Sequence, residues 1–134
     1  MPSNIVFVFD GLQPDQVVPR LMPNLSEFAA AGVIFANHHS VFPTVTRVNV
    51  SSMVTGLNSG SHGLAGNRLM IRGFAGDRAI SAMQPELSRV VEAGLPVLLC
   101  PTLGELLAKQ GQEYVAIGVG TSGNAYLQNP TAER

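Results

Sequence analysis

A carboxylate, a hydroxyl and a carboxamide stand where the chain is expected to turn: Asp10, Thr46 and Asn67. Asp10 follows the apolar run Ile5-Val6-Phe7-Val8-Phe9 and precedes Gly11. A carboxylate held at the end of a buried strand suits a hard or borderline cation such as Zn²⁺ or Mg²⁺. The same residue could equally be a turn aspartate bonded to its own backbone. Thr46 sits where a helix is expected to begin, beside N–H groups and a positive dipole end that favour a bound phosphate. Its hydroxyl could attack phosphorus if a metal or base lowered its pKa. The alternative is that Thr44 or Thr46 simply caps the helix. Asn67 closes a glycine-rich stretch, and its amide could donate to a phosphoryl oxygen as charge builds in a transition state. A turn asparagine would look the same.

The remaining candidates are weaker. His38 and His39 are adjacent, so on an extended segment their side chains point to opposite faces and do not share one metal. His62 lies in Ser61-His62-Gly63, and no His-x-His or Cys-x-x-Cys spacing occurs. All three histidines are read as structural or supporting rather than as ligands. Cys100, the single cysteine, ends the apolar run Leu95 to Leu99 and reads as a small buried hydrophobe. With no partner in the chain it forms no internal disulfide.

The elements that would hold these residues alternate in type. Ile5–Phe9, Val33–Ala36 and Tyr114–Val119 are apolar, β-rich runs expected as strands, and Leu69–Ile71 as a shorter one. Pro23 near the start and Gly32 after the end mark a helix, with Leu21, Leu25, Phe28 and Ala29 at helical spacing. Thr46 to Thr55 reads as a helix stopped by Gly56. Gly56 to Asn67 reads as a loop, and Gly73 to Gln84 receives no assignment. Thr102 and Glu105 form a capping box opening a helix over Pro101 to Lys109. Alternating strands and helices predict an α/β fold on a mostly parallel sheet, whose ligands bind at the carboxyl ends of strands. Asp10 and Gly120-Thr121-Ser122-Gly123 both fall at such ends.

Composition excludes other classes. In 134 residues, 46% are hydrophobic and 13% charged, which fits a packed interior and not a disordered chain. The formal net charge is −1 with no basic block, so no nucleic-acid polymer is expected as partner. No run reaches membrane-span length and no signal peptide is visible, which predicts no membrane partner and a cytoplasmic protein, or one shortened at its start. The close at Asn129-Pro130-Thr131-Ala132-Glu133-Arg134 suggests a fragment.

Several blocks occur in one order: Phe7-Val8-Phe9-Asp10-Gly11-Leu12, Met22-Pro23-Asn24-Leu25, Phe42-Pro43-Thr44-Val45-Thr46-Arg47-Val48-Asn49, Val54-Thr55-Gly56-Leu57, and Ser61-His62-Gly63-Leu64-Ala65-Gly66-Asn67. Together they resemble the type I phosphodiesterase/nucleotide pyrophosphatase family of the alkaline-phosphatase superfamily, over about the first half of the chain. The resemblance implies an alkaline-phosphatase-like sandwich with a mostly parallel central sheet, of which residues 1–134 are the incomplete N-terminal part of one catalytic domain. It makes Asp10 a metal ligand, Thr46 the nucleophile and itself a metal-bound group, and Asn67 the contact to the phosphoryl oxygen. His62 matches a motif histidine that binds no metal.

Two divalent metal ions, zinc by preference, are implied, with a two-metal in-line displacement through a phospho-threonine. The implied substrate is a small phosphorylated molecule such as a nucleotide. Two such sites take about six protein ligands, so these 134 residues alone are expected to be inactive. One departure is Arg47-Val48-Asn49-Val50, where many members carry Phe-Pro-Asn-His after the threonine. Arg47 could bind an anionic substrate group, as in a phosphonoacetate-hydrolase-like enzyme, or point to solvent. A non-catalytic α/β binding module remains the reading from another class.

Overall fold

The computed structural model describes residues 4–76 and 78–130. The closing run 131–134, on which the reading of a fragment's end partly rests, lies outside them. The chain forms two compact units, residues 1–39 and 40–134.

The first unit is built on local turns. The Phe9 carbonyl accepts from the Leu12 N–H at 3.3 Å, and Gly11 takes φ 80°, which closes the turn that carries Asp10. A 3-10 turn over Pro14–Gln16 is held by Gln13 and Gln16. Helix α1 spans Pro23–Ala31, with proline in its first turn as expected. None of its residues is buried.

The second unit has a core. Helix α2 spans Thr46–Thr55, α3 Ser59–His62, α4 Gln84–Glu92, α5 Leu103–Lys109 and α6 Ser122–Gln128. Strands β1 (Arg68–Leu69) and β2 (Ile80–Ser81) pair antiparallel, Arg68 opposite Ser81 and Leu69 opposite Ile80. Leu64, Leu69, Ala82, Leu87, Val90, Tyr126 and Leu127 form the buried centre, so β1, β2, α4 and α6 share one core. Val48, Val50 and Val54 bury one side of α2, and Gly56 in the left-handed region ends it as predicted, its N–H bonded to the Ser52 carbonyl. The capping box of α5 forms too. Glu105 Oε2 accepts from the Thr102 N–H at 2.6 Å while Thr102 Oγ1 accepts from the Glu105 N–H at 3.3 Å.

The chain is thus mixed α/β, with six helices and one two-stranded antiparallel ladder among the described residues. The strand expectations need correction. Ile5–Phe9, Val33–Ala36 and Tyr114–Val119 pair with nothing there, and Phe7, Phe35 and Val119 stand largely exposed. A strand exists only through a neighbour's ladder, and the apolar pattern that marks these runs does not itself provide one. Leu69–Ile71 is replaced by Arg68–Leu69. Helix α3 lies inside the expected loop, and β2 lies inside the unassigned segment.

Candidate functional site

Thr46 is the first residue of α2 but not its cap. The N-cap is Val45, with extended backbone and no side-chain hydrogen bond to the helix. The cap residue itself therefore offers no side-chain acceptor to the leading amides of α2. The segment entering the helix is fixed from below. Asn49 Oδ1 accepts from the Val41 N–H at 2.9 Å and Nδ2 donates to the Val45 carbonyl at 3.1 Å. Ser59 Oγ also donates to the Phe42 carbonyl at 3.3 Å.

Asn67 is exposed and immediately precedes β1. Its carbonyl accepts from the Ala82 N–H at 2.9 Å, which extends the ladder by one bond. Ala82 leads directly to Met83, whose Sδ takes a hydrogen bond from Arg47 Nη2 at 2.8 Å. Asn67 and the head of α2 are thus joined by a short run of contacts through Ala82, Met83 and Arg47. Asp10 belongs to the other unit, exposed in its turn.

Arg47 is half-buried, with Nη2 turned onto the fold. Nη2 also donates to Thr121 Oγ1 at 3.2 Å, and Nε is buried without a partner. Thr121 is the N-cap of α6. Sequence reasoning had flagged the Gly120–Gly123 stretch as the end of a strand; it is instead the start of a helix. Nothing in the sequence marks Met83 as a partner of Arg47.

His62 is fully buried, and both ring nitrogens are used. Nδ1 lies 3.2 Å from the Leu64 N–H, which can only donate, so Nδ1 accepts. The proton then sits on Nε2 and is donated to Ser52 Oγ at 3.0 Å, linking α3 to α2. The structural reading of His62 holds. His38 and His39 are exposed, with His39 bonded to Asn37 at 2.8 Å. Cys100 is free and half-buried rather than buried. Burial pushes the His62 pKa below the ordinary histidine value, a backbone hydrogen bond opposing it in part. A histidine with a lowered folded pKa gives stability that is present above its unfolded pKa and lost as pH falls through the folded one. Melting temperature is therefore expected to fall more steeply below pH ~6.5 in the wild type than in His62→Gln. Parallel melting curves for the two proteins between pH 7 and 5 would contradict this.

Among the described residues, no three His, Cys, Asp or Glu side chains cluster to hold a metal ion. The two donors that the resemblance led us to expect for a metal pair, the Asp10 carboxylate and the Thr46 hydroxyl, are fewer than the roughly three protein ligands that each catalytic zinc takes. These residues by themselves do not fit a complete two-metal centre. No helix is long and apolar enough to cross a membrane among the described residues.

The family described as type I phosphodiesterase / nucleotide pyrophosphatase matches residues 4–127. The bis(5'-adenosyl)-triphosphatase enpp4 of Xenopus laevis is 43% identical over 68 residues, which is 51% of this chain and 15% of that protein. The proteins of the same name from Mus musculus and Homo sapiens are each 35% identical over 68 residues, again 51% of this chain and 15% of theirs. The matched stretch thus spans well under a fifth of these curated relatives. No solved structure matches the chain.

Proposed function

The chain belongs to the type I phosphodiesterase/nucleotide pyrophosphatase family, and from that premise we propose that the whole protein hydrolyses phosphodiester or pyrophosphate bonds. Thr46 is the nucleophile and forms a phospho-threonine that water resolves. Asn67 donates its amide to the phosphoryl oxygen, and its exposed side chain is open to a ligand. The observation that carries this reading is the head of α2, where a threonine occupies the first helical position directly after an N-cap, Val45, that makes no side-chain cap bond. A phosphoryl group there meets backbone N–H donors, the positive end of the helix dipole and a hydroxyl together.

The substrate is a small phosphorylated molecule. A nucleotide is favoured because the matched relatives are named bis(5'-adenosyl)-triphosphatases. A divalent metal pair, zinc by preference, belongs to the proposal, and would lower the pKa of the attacking hydroxyl and offset charge on the leaving oxygen. Asp10 and Thr46 would be this chain's contribution, with the other ligands lying outside these 134 residues. The unpaired runs Ile5–Phe9, Val33–Ala36 and Tyr114–Val119 are proposed as strands of the mostly parallel, alkaline-phosphatase-like sheet in the longer protein. The 134 residues alone are proposed to be inactive, and the protein to be cytoplasmic.

The phosphonate-hydrolase alternative rested on a free Arg47 able to hold a substrate carboxylate. Against that role, Nη2 is bonded to Met83 and Thr121. The full-length protein is expected to cleave bis-p-nitrophenyl phosphate and to leave phosphonoacetate intact. The reverse preference would establish the phosphonate reading, and turnover of neither would leave a binding module.

A further inference from the structure

We propose that Arg47 is a positioning residue that sets the head of α2, and with it Thr46, by clamping it to the heads of α6 and α4; this rests on the nucleophile reading of Thr46. Arginine recognises an anion through a pair of parallel N–H groups along one edge of the guanidinium. Either usable edge includes Nη2, and Nη2 is bonded to both Met83 Sδ and Thr121 Oγ1. Nε is closed off as well, buried and unpartnered. A Cβ built on Gly123 would lie 2.8 Å from it, so Nε packs against the first turn of α6 with no room for water. Arg47 thus presents no free edge to a substrate.

What it does present is a junction. Thr121 is the N-cap of α6, Met83 is the N-cap of α4, and Arg47 is the second residue of α2. Ser122 Oγ adds a bond of 3.4 Å from the Gln84 N–H, tying the heads of α6 and α4 to each other. One side chain therefore fixes where three helices start relative to one another, beside the residue proposed to react. Placement errors of about 1 Å at a reacting group cost roughly 100-fold in rate. The departure at Arg47 thus governs geometry rather than substrate choice.

The test uses Arg47→Lys, which keeps the charge but not the two-point grip, and Thr121→Val, which removes one contact and leaves the arginine. In the full-length protein with bis-p-nitrophenyl phosphate, each is expected to lower kcat about 10-fold with KM within about 2-fold of wild type. The double variant is expected to be no slower than the slower single one, because both break one linkage. A raised KM at unchanged kcat would make Arg47 a substrate contact and overturn the proposal, as would single effects that multiply. Hydrogen exchange at the α2 amides of the same variants reports on the clamp without catalysis. Faster exchange in both supports it, and wild-type exchange in both refutes it. A wild-type protein without turnover would sink the hydrolase reading alone, leaving the exchange result to decide the clamp.

Discussion

Thr46→Ala in the full-length protein is expected to lower kcat by roughly 10³-fold or more, because on the proposed reading it removes the nucleophile and leaves only what binding and electrostatics supply. The fold should hardly register the change. Thr46 is not the N-cap residue of α2, and the backbone of the cap at Val45 is untouched by the change. Alanine is also the better helix former, by a few tenths of a kcal/mol. Stability within about 1 kcal/mol of wild type is expected, and a thermal melt of the same sample checks it. Thr46→Ser keeps an attacking hydroxyl and should retain a measurable part of the rate. Normal turnover in Thr46→Ala would remove the threonine from the chemistry altogether. A loss of rate accompanied by unfolding would also fail, because the prediction is that the two separate at this position.

That separation depends on a detail that the sequence could not decide. Thr44 and Thr46 both looked able to cap, and only backbone geometry shows that the N-cap position falls on Val45, whose side chain makes no cap bond. Local rules served well where a few neighbours settle the outcome. Pro23 and Gly32 bound α1 closely, Gly56 ends α2, and the Thr102–Glu105 pair forms the reciprocal bonds that its spacing promised. They failed where a distant partner decides. The runs at Ile5–Phe9 and Tyr114–Val119 read as strands because they are apolar and β-branched, yet pairing is a property of two segments and neither run finds a second one among the described residues. Composition misled in the opposite sense at α3 and at the start of α6. Ser59-Gly60-Ser61-His62 lies in an expected loop and Gly120-Thr121-Ser122-Gly123 at an expected strand end, but the first is a helix anchored by buried His62 and the second opens a helix anchored by Tyr126 and Leu127 in the core. At the candidate site the sequence pointed to Thr46, Asn67 and Arg47. It could not disclose the link from Arg47 to Thr121, 74 residues away.

Gly123 is where that link is most exposed to mutation. Its place at the start of α6 is not a matter of positive φ but of close approach. A Cβ there would collide with the Ala82 carbonyl oxygen and lie 2.8 Å from Arg47 Nε. The first obstacle is backbone, and it belongs to a fully buried residue whose own N–H is bonded to Asn67. It cannot swing aside as a side-chain end would, so α6 must lift away from β2 and α2. Lifting α6 also draws on Tyr126 and Leu127, which share the core with Leu87 and Val90. Gly123→Ala is therefore expected to destabilise the protein by about 3 kcal/mol or more, at the upper end of what added core volume costs. Gly60→Ala serves as a control, since a Cβ there meets nothing within 4 Å. Denaturant unfolding of the two variants gives the comparison, with a clearly lower midpoint for Gly123→Ala and one near wild type for Gly60→Ala. Equal midpoints would mean that α6 does not approach Ala82 as closely as the fold has it, and the packing of Arg47 Nε against α6 would fall with that approach.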